Sequence, residues 1–285
     1  MKKFKNIVIT CNSFDKEVQE IIDQCCEVLE NVNVNIVSVI NLSAKKNKKN
    51  NLKEVSSKSD LIISIGGDGT MLSCSRDLGY FGVPILGINL GNLGFLTDIA
   101  PEEITSRLIE VVKGSYTKEK RSFLEVSINT KENNFLALNE AVIHSGAVAK
   151  MIGYELLIDN DFVFRQKADG LIISSPTGST AYSLSGGGPI VHPRLKSIIL
   201  LPMFPHSLNS SPLIIKDDSE ISLELVGKND KAKLSMDSHN LIDLKTGDKI
   251  TIRKSEKELT LVHPMGHDFF SACRNKLGWS SGITD

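Results

Sequence analysis

The sequence predicts an α/β first domain with a parallel sheet, then a mostly-β domain, then a C-terminal helix packing back on the first domain. Three observations lead there. Up to Gly114, apolar runs alternate with amphipathic helical patterns. Beyond Gly114 the period drops to two and short strands follow one another. From His267 to Trp279 the spacing is helical again. The expected domains are therefore 1–114, 115–266 and 267–285.

Taken in order, Ile7–Thr10 reads as a first strand. Residues 14–30 follow as a helix, with Val18, Ile21, Ile22, Cys25, Val28 and Leu29 on one face. Val34–Ile40 is a second strand. Lys45–Asn51 contains no apolar residue and reads as a mobile surface loop. Leu61–Ile65 and Val83–Ile88 are continuous apolar runs, as buried parallel strands require. Gly91–Leu96 lies just past the carboxyl end of the latter, the edge where open α/β sheets bind ligands. Pro101-Glu102-Glu103 opens a helix that stops at Gly114.

In the second half, Phe123–Ile128 and Phe135–Leu138 are strands. Asp159-Asn160-Asp161 between Tyr154–Ile158 and Phe162–Phe164 signals a hairpin. Ile221–Val226, Ala232–Met236, Lys249–Ile252 and Leu259–Val262 read as further short strands.

Composition narrows the function. The chain has 285 residues, 41% hydrophobic and 24% charged, with a net charge of −1. That balance gives no pull toward nucleic acid or an anionic membrane. No segment has the ~20 consecutive apolar residues that cross a bilayer, and Ile7–Ile9 is too short for a signal-peptide core. The five cysteines show no metal spacing and read as free thiols of a cytoplasmic protein.

The most informative stretch is Gly66-Gly67-Asp68-Gly69-Thr70, between a buried strand and a helix start. Glycines there let backbone N–H groups approach a phosphate. The turn lacks both the Walker A ending and the GxGxxG spacing. Asp68 would repel a polyphosphate unless it orients a hydroxyl, accepts a proton or helps hold a metal ion. The motif thus indicates phosphate chemistry beyond phosphate binding.

Two segments of the β half are also unusual. Asn139-Glu140 interrupts an apolar strand pattern, which on its own is an ordinary solvated strand end. The run from Ala168-Asp169-Gly170 to Ser185-Gly186-Gly187-Gly188-Pro189 is long and rich in small and hydroxyl residues, more than a helix cap and a tight turn need.

Together these motifs, in this order, and the ending Phe269-Phe270 with Lys276-Leu277-Gly278-Trp279, resemble the NAD kinases over essentially the whole chain. GGDGT alone is shared with diacylglycerol and sphingosine kinases; the second cluster is the specific part. The resemblance implies transfer of the γ-phosphate of ATP, or of inorganic polyphosphate, to the 2′-hydroxyl of the adenosine ribose of NAD. It implies a divalent cation such as Mg²⁺, a homodimer or homotetramer, and a site between an α/β and a β-rich domain.

It also implies roles. Asp68 matches the proton acceptor, and Gly67 and Gly69 lie against the same ligand. Asn139 and Glu140 match the pair that holds the ribose and adenine. Asp169 matches the acid near the nicotinamide amide, with Ala168 giving it room. Thr180, Ala181, Tyr182, Ser183, Leu184 and Ser185 match the segment along the nucleotide. Lys150 and Lys167 fall where the family has basic residues near it.

Two positions depart from the pattern. His239 stands where the family commonly has a Gln that contacts NAD, and a neutral His lacks the two-donor amide. Ser211 stands where an Arg often precedes the proline. The competing readings are a lipid kinase with the same turn and a non-catalytic NAD(P) sensor.

Overall fold

A computed structural model describes residues 3–44, 49–91, 94–147, 150–207, 209–227 and 231–279. The chain divides into two compact units, 1–120 with 258–285, and 121–257.

The first unit opens with β1 (Asn6–Cys11), α1 (Lys16–Asn31) and β2 (Asn35–Asn41). Asp15 caps α1 by accepting from the Val18 N–H, and the six apolar residues expected on its inner face are all buried. A helix α2 (Lys49–Ser57) follows. Lys45–Lys48 of the expected loop lie outside the described residues, but Lys49–Asn51 are helical, which corrects that part of the reading. Leu52 and Ser56, four residues apart, are buried and give the segment an inner face despite its polar start.

Next come β3 (Leu61–Ile65), α3 (Asp68–Asp77), β4 (Ile85–Ile88) and α4 (Ile104–Val112). The strands run in the order β2-β1-β3-β4, all parallel. Ile7, Ile9, Leu61, Ile63, Leu86 and Ile88 form the sheet side of a core that α1 and α4 close.

The chain enters the second unit along β5 (Tyr116–Ile128), which pairs with β6 (Thr130–Ala137). Then follow β7 (Glu140–His144), β8 (Ile152–Ile158), β9 (Asp161–Ala168), β10 (Gly170–Ser174) and a one-turn helix α5 (Tyr182–Ser185). The strands β11 (Ser197–Met203), β12 (Leu213–Lys216), β13 (Ile221–Leu225), β14 (Lys233–Met236) and β15 (His239–Asp243) complete the unit, with the first half of β16 (Lys249–Pro264). One antiparallel sheet runs β12-β11-β10-β7-β14-β15, and β13 pairs with both β8 and β16.

The β8–β9 hairpin forms as expected, with Asp159 and Asn160 both left-handed at φ 52° and 70°. The two short strands expected at Lys249–Ile252 and Leu259–Val262 are one strand, β16. Its polar middle does not break it, and Ser255 and Leu259 are buried between its two apolar ends. The second half of β16 pairs with β4 in the first unit, and α6 (Phe269–Leu277) follows it, capped by Asp268.

Candidate active site

In the first unit the Gly-rich turn joins β3 to α3. Gly66 has a φ of +143°, and a Cβ there would stand 2.3 Å from Thr70 Oγ1, so only glycine fits. Gly67 caps α3 and Gly69 lies in its first turn, and a Cβ at either would meet nothing within 4 Å. Positive φ is therefore needed at Gly66 alone. Gly67 and Gly69 instead leave bare backbone at a helix N-terminus, open to an anion.

Asp68 is the first residue of α3. Its Oδ2 accepts from the Phe95 N–H and its Oδ1 from the Leu96 N–H, both at 3.0 Å. Gly94 packs against it so closely that a Cβ would stand 1.9 Å from Oδ1. The loop beyond β4 thus fixes the orientation of this carboxylate.

In the second unit Asn139 and Glu140 sit where β7 begins. The Asp237 carboxylate accepts from the backbone N–H groups of Leu138, Asn139 and Glu140 at 2.8, 2.7 and 3.1 Å. Gly178 closes the other side, where a Cβ would stand 2.3 Å from the Asn139 carbonyl oxygen. Both side chains are buried, and neither Asn139 Oδ1 nor Glu140 Oε2 has a hydrogen-bond partner. Burial, reinforced by the neighbouring Asp237 carboxylate, pushes Glu140 up to about 8. Near neutral pH it is then mostly a carboxylic acid, able to donate as well as accept.

Asp169 lies between β9 and β10. Its N–H donates to the Met203 carbonyl and its own carbonyl accepts from the Ser145 N–H. Asp169 and Tyr182 line one cavity of about 400 Å³ together with His144, Ser145 and Ser238. Tyr182 and Ser185 line a second of about 660 Å³ with Phe204 and Ser211. Ala168 is fully buried behind Asp169.

Ser183 lines neither of these two cavities. It is buried against Gly188, where a Cβ would stand 2.4 Å from its Oγ. The Thr180 hydroxyl donates to the Thr177 carbonyl, and Ala181 caps α5 ahead of Leu184. Lys150 and Lys167 are exposed and line neither cavity. His239 Nδ1 lies 2.8 Å from the Asp237 carbonyl oxygen and donates to it, which fixes the orientation of the ring. Local sequence gives Asp237 no role, since the Leu138, Asn139 and Glu140 amides that it holds are distant in the chain.

Two family models match the chain. The ATP-NAD kinase N-terminal domain covers residues 7–116 and the ATP-NAD kinase C-terminal domain covers residues 138–264. The chain is 48% identical to the NAD kinase of Pseudoalteromonas translucida over 84% of its own length and 82% of that protein. It is 49% identical to the NAD kinase of Alcanivorax borkumensis over 78% and 75%. Among solved structures, yeast NADH kinase complexed with NADH superposes with a TM-score of 0.85 at 25% identity, over 100% of this chain and 91% of that one. An NAD kinase from Archaeoglobus fulgidus in complex with ATP gives a TM-score of 0.74 at 30% identity, over 96% and 97%.

Proposed function

The chain belongs to the ATP-NAD kinase family and phosphorylates NAD, and from that premise we propose how its residues divide the reaction. Asp68 orients the 2′-hydroxyl of the adenosine ribose and takes its proton. Asn139 and Glu140 hold the ribose and adenine, Asp169 reads the nicotinamide amide, and the segment from Thr180 to Ser185 runs along the nucleotide. The observation that carries this reading is the pair of buried acceptors without partners, Asn139 Oδ1 and Glu140 Oε2. Buried polar atoms are usually paired, so two unpaired atoms on one clamped turn suit a ligand that completes them.

ATP is the phosphoryl donor, as the family supports; inorganic polyphosphate is a further donor in this proposal. The bare backbone at Gly67 and Gly69 suits the phosphates. Mg²⁺ would travel with them, since phosphate and carboxylate oxygens suit a hard cation. The residues fit it: each Asp68 oxygen accepts one amide bond and keeps a second lone pair. When bound, the cation screens phosphate charge that otherwise repels Asp68.

Asp has a reference pKa of about 3.9 and is a poor base for an alcohol. A loose transition state needs little early deprotonation, so a carboxylate held in line and ready to accept the proton late is enough. The two amides that fix Asp68 supply that preorganisation.

Neither a lipid kinase nor a non-catalytic sensor is supported by the relatives. Assembly into a homodimer or homotetramer is part of the proposal. It is supported by apolar residues left exposed on edge strands, Phe162 on β9, Ile214 on β12 and Leu241 on β15. No described helix is long and apolar enough to cross a membrane. All five cysteines are free, and burial pushes Cys25 and Cys74 up to about 12. Free thiols fit a cytoplasmic location.

The test is NADP formation from NAD with ATP and with polyphosphate in turn, in wild type and Asp68→Asn. The variant should lose at least ~10²-fold in turnover while still binding NAD. Near-normal turnover in Asp68→Asn refutes the proton-acceptor role.

A further inference from the structure

The first unit contains an ionic cluster that the reaction described above does not use. Asp98 Oδ2 lies 2.6 Å from Nδ1 of His263, and Asp98 Oδ1 lies 2.6 Å from Nδ1 of His267. The two imidazoles stack, with centroids 3.9 Å apart and planes 16° apart. On its other side, Nε2 of His263 lies 3.4 Å from Glu119 Oε2. His263 is 1% exposed.

The donor atoms of Asp98, His263 and His267 lie within 4.8 Å of one another, compact enough to enclose an ion. The 2.6 Å contacts argue otherwise. They match charge-assisted hydrogen bonds, whereas two ligands on one tetrahedral zinc stand about 3.3 Å apart. The cluster is therefore held by protons. The groups facing His263 are two acids, Asp98 and Glu119, and one base, His267. Burial alone would lower its pKa, but the hydrogen bond to Asp98 and then the nearby Glu119 carboxylate outweigh that and raise it to about 9.

The position of Asp98 gives the cluster its meaning. It closes the 94–98 turn, whose Phe95 and Leu96 amides hold the Asp68 carboxylate. Within that turn Gly94 N–H and Asn89 Nδ2 both donate to Thr97 Oγ1 at 2.8 Å, and the Asp98 N–H donates to the Gly87 carbonyl at 3.1 Å. From α6, Lys276 Nζ sits 6.0 Å from the centroid of the Phe95 ring. The turn is thus gripped by Asp68 at one end and by His263 at the other, and side chains and backbone within it leave little slack.

We propose that His263 is a positioning residue for phosphoryl transfer: through Asp98 it fixes the 94–98 turn and so sets the direction in which the Asp68 carboxylate points. This rests on the reading of Asp68 as the group that receives the 2′-hydroxyl proton.

Two substitutions separate the sides of the ring. An Asn amide reaches roughly where Nδ1 lies and a Gln amide roughly where Nε2 lies. His263→Asn keeps a donor to Asp98, and His263→Gln keeps only the side facing Glu119. The expected result is a kcat lowered by about 10- to 100-fold in His263→Gln, since small misplacements of a reacting group have effects of that size. Its KM for NAD and for ATP should be unchanged, and His263→Asn should stay within about threefold of wild type. Hydrogen exchange at the Phe95 and Leu96 amides, read without substrates, should speed up in His263→Gln and not in His263→Asn.

Unchanged exchange at these two amides in His263→Gln, or equal loss of kcat in both variants, overturns the proposal. If His263→Gln does not fold, Asp98→Asn is read by the same criteria. Near-normal turnover in Asp68→Asn instead removes the catalytic premise, while the exchange result still decides whether His263 positions the turn.

Discussion

The Asp237 carboxylate accepts the Asn139 N–H at 2.7 Å, joining the start of β7 to the end of β14. It also takes the N–H groups on either side, so one buried side chain satisfies three backbone donors in a row. The residues proposed to hold NAD are therefore placed by an acid that need not touch it.

Asp237→Asn turns part of that acceptor into a donor aimed at donors. The expected loss is about 2–4 kcal/mol of stability. NAD affinity should fall with it, while Asp237→Glu should recover neither, since its longer side chain cannot keep the three contacts. Urea denaturation and calorimetric NAD titration check both.

Ser238 occupies the left-handed region at φ 60°, beside Asp237 at φ 49°. A residue with a Cβ is strained there by about 1–2 kcal/mol. Ser238→Gly should raise unfolding free energy by roughly 1 kcal/mol. A denaturant midpoint that does not rise counts against strain at this position.

Gly69 offers the opposite case. A Cβ there meets nothing, and α3 is already helical. Gly69→Ala should leave the melting temperature equal or higher, because alanine favours a helix by about 1 kcal/mol. Turnover should nevertheless fall, because the methyl occupies the space a phosphate needs. Thermal melts beside NADP formation rates show whether stability and activity part company.

Glu140 predicts a pH dependence. Its folded-state pKa is raised to about 8, from an ordinary value near 4.5. The folded state therefore binds the proton more tightly, and this contribution is fully present below about pH 4.5 and lost as pH rises through about 8. Unfolding free energy of wild type should fall across that window relative to Glu140→Gln, which keeps the shape without the titration. Parallel curves for the two proteins dispose of the assignment.

Local patterns made much of this legible. The face of α1 from Val18 to Leu29, the strand Leu61–Ile65 and the Asp159-Asn160 turn depend on neighbours a few residues away. β11 was not, because Pro202 interrupts an apolar run that otherwise reads as a central strand. The site shows the same divide. Asp68 and Glu140 stand out by type and place in short motifs, whereas the groups that hold them do not. Asp237 reaches back across 98 residues to Asn139, and His263 across 165 to Asp98. No periodicity in the sequence records a hydrogen bond of that span.

The split first unit bears on how the chain comes to be folded. Its residues 258–285 are made after the whole of the second unit. On the ribosome, β4 waits with one edge open until Leu261 of β16 emerges to pair with Ile85. His263 and α6 arrive later still, so Asp98 spends translation without its base. The Gly-rich turn is made before the second unit, yet the contacts that steady it come only after that unit, and a chain truncated before β16 should expose an unpaired strand to aggregation.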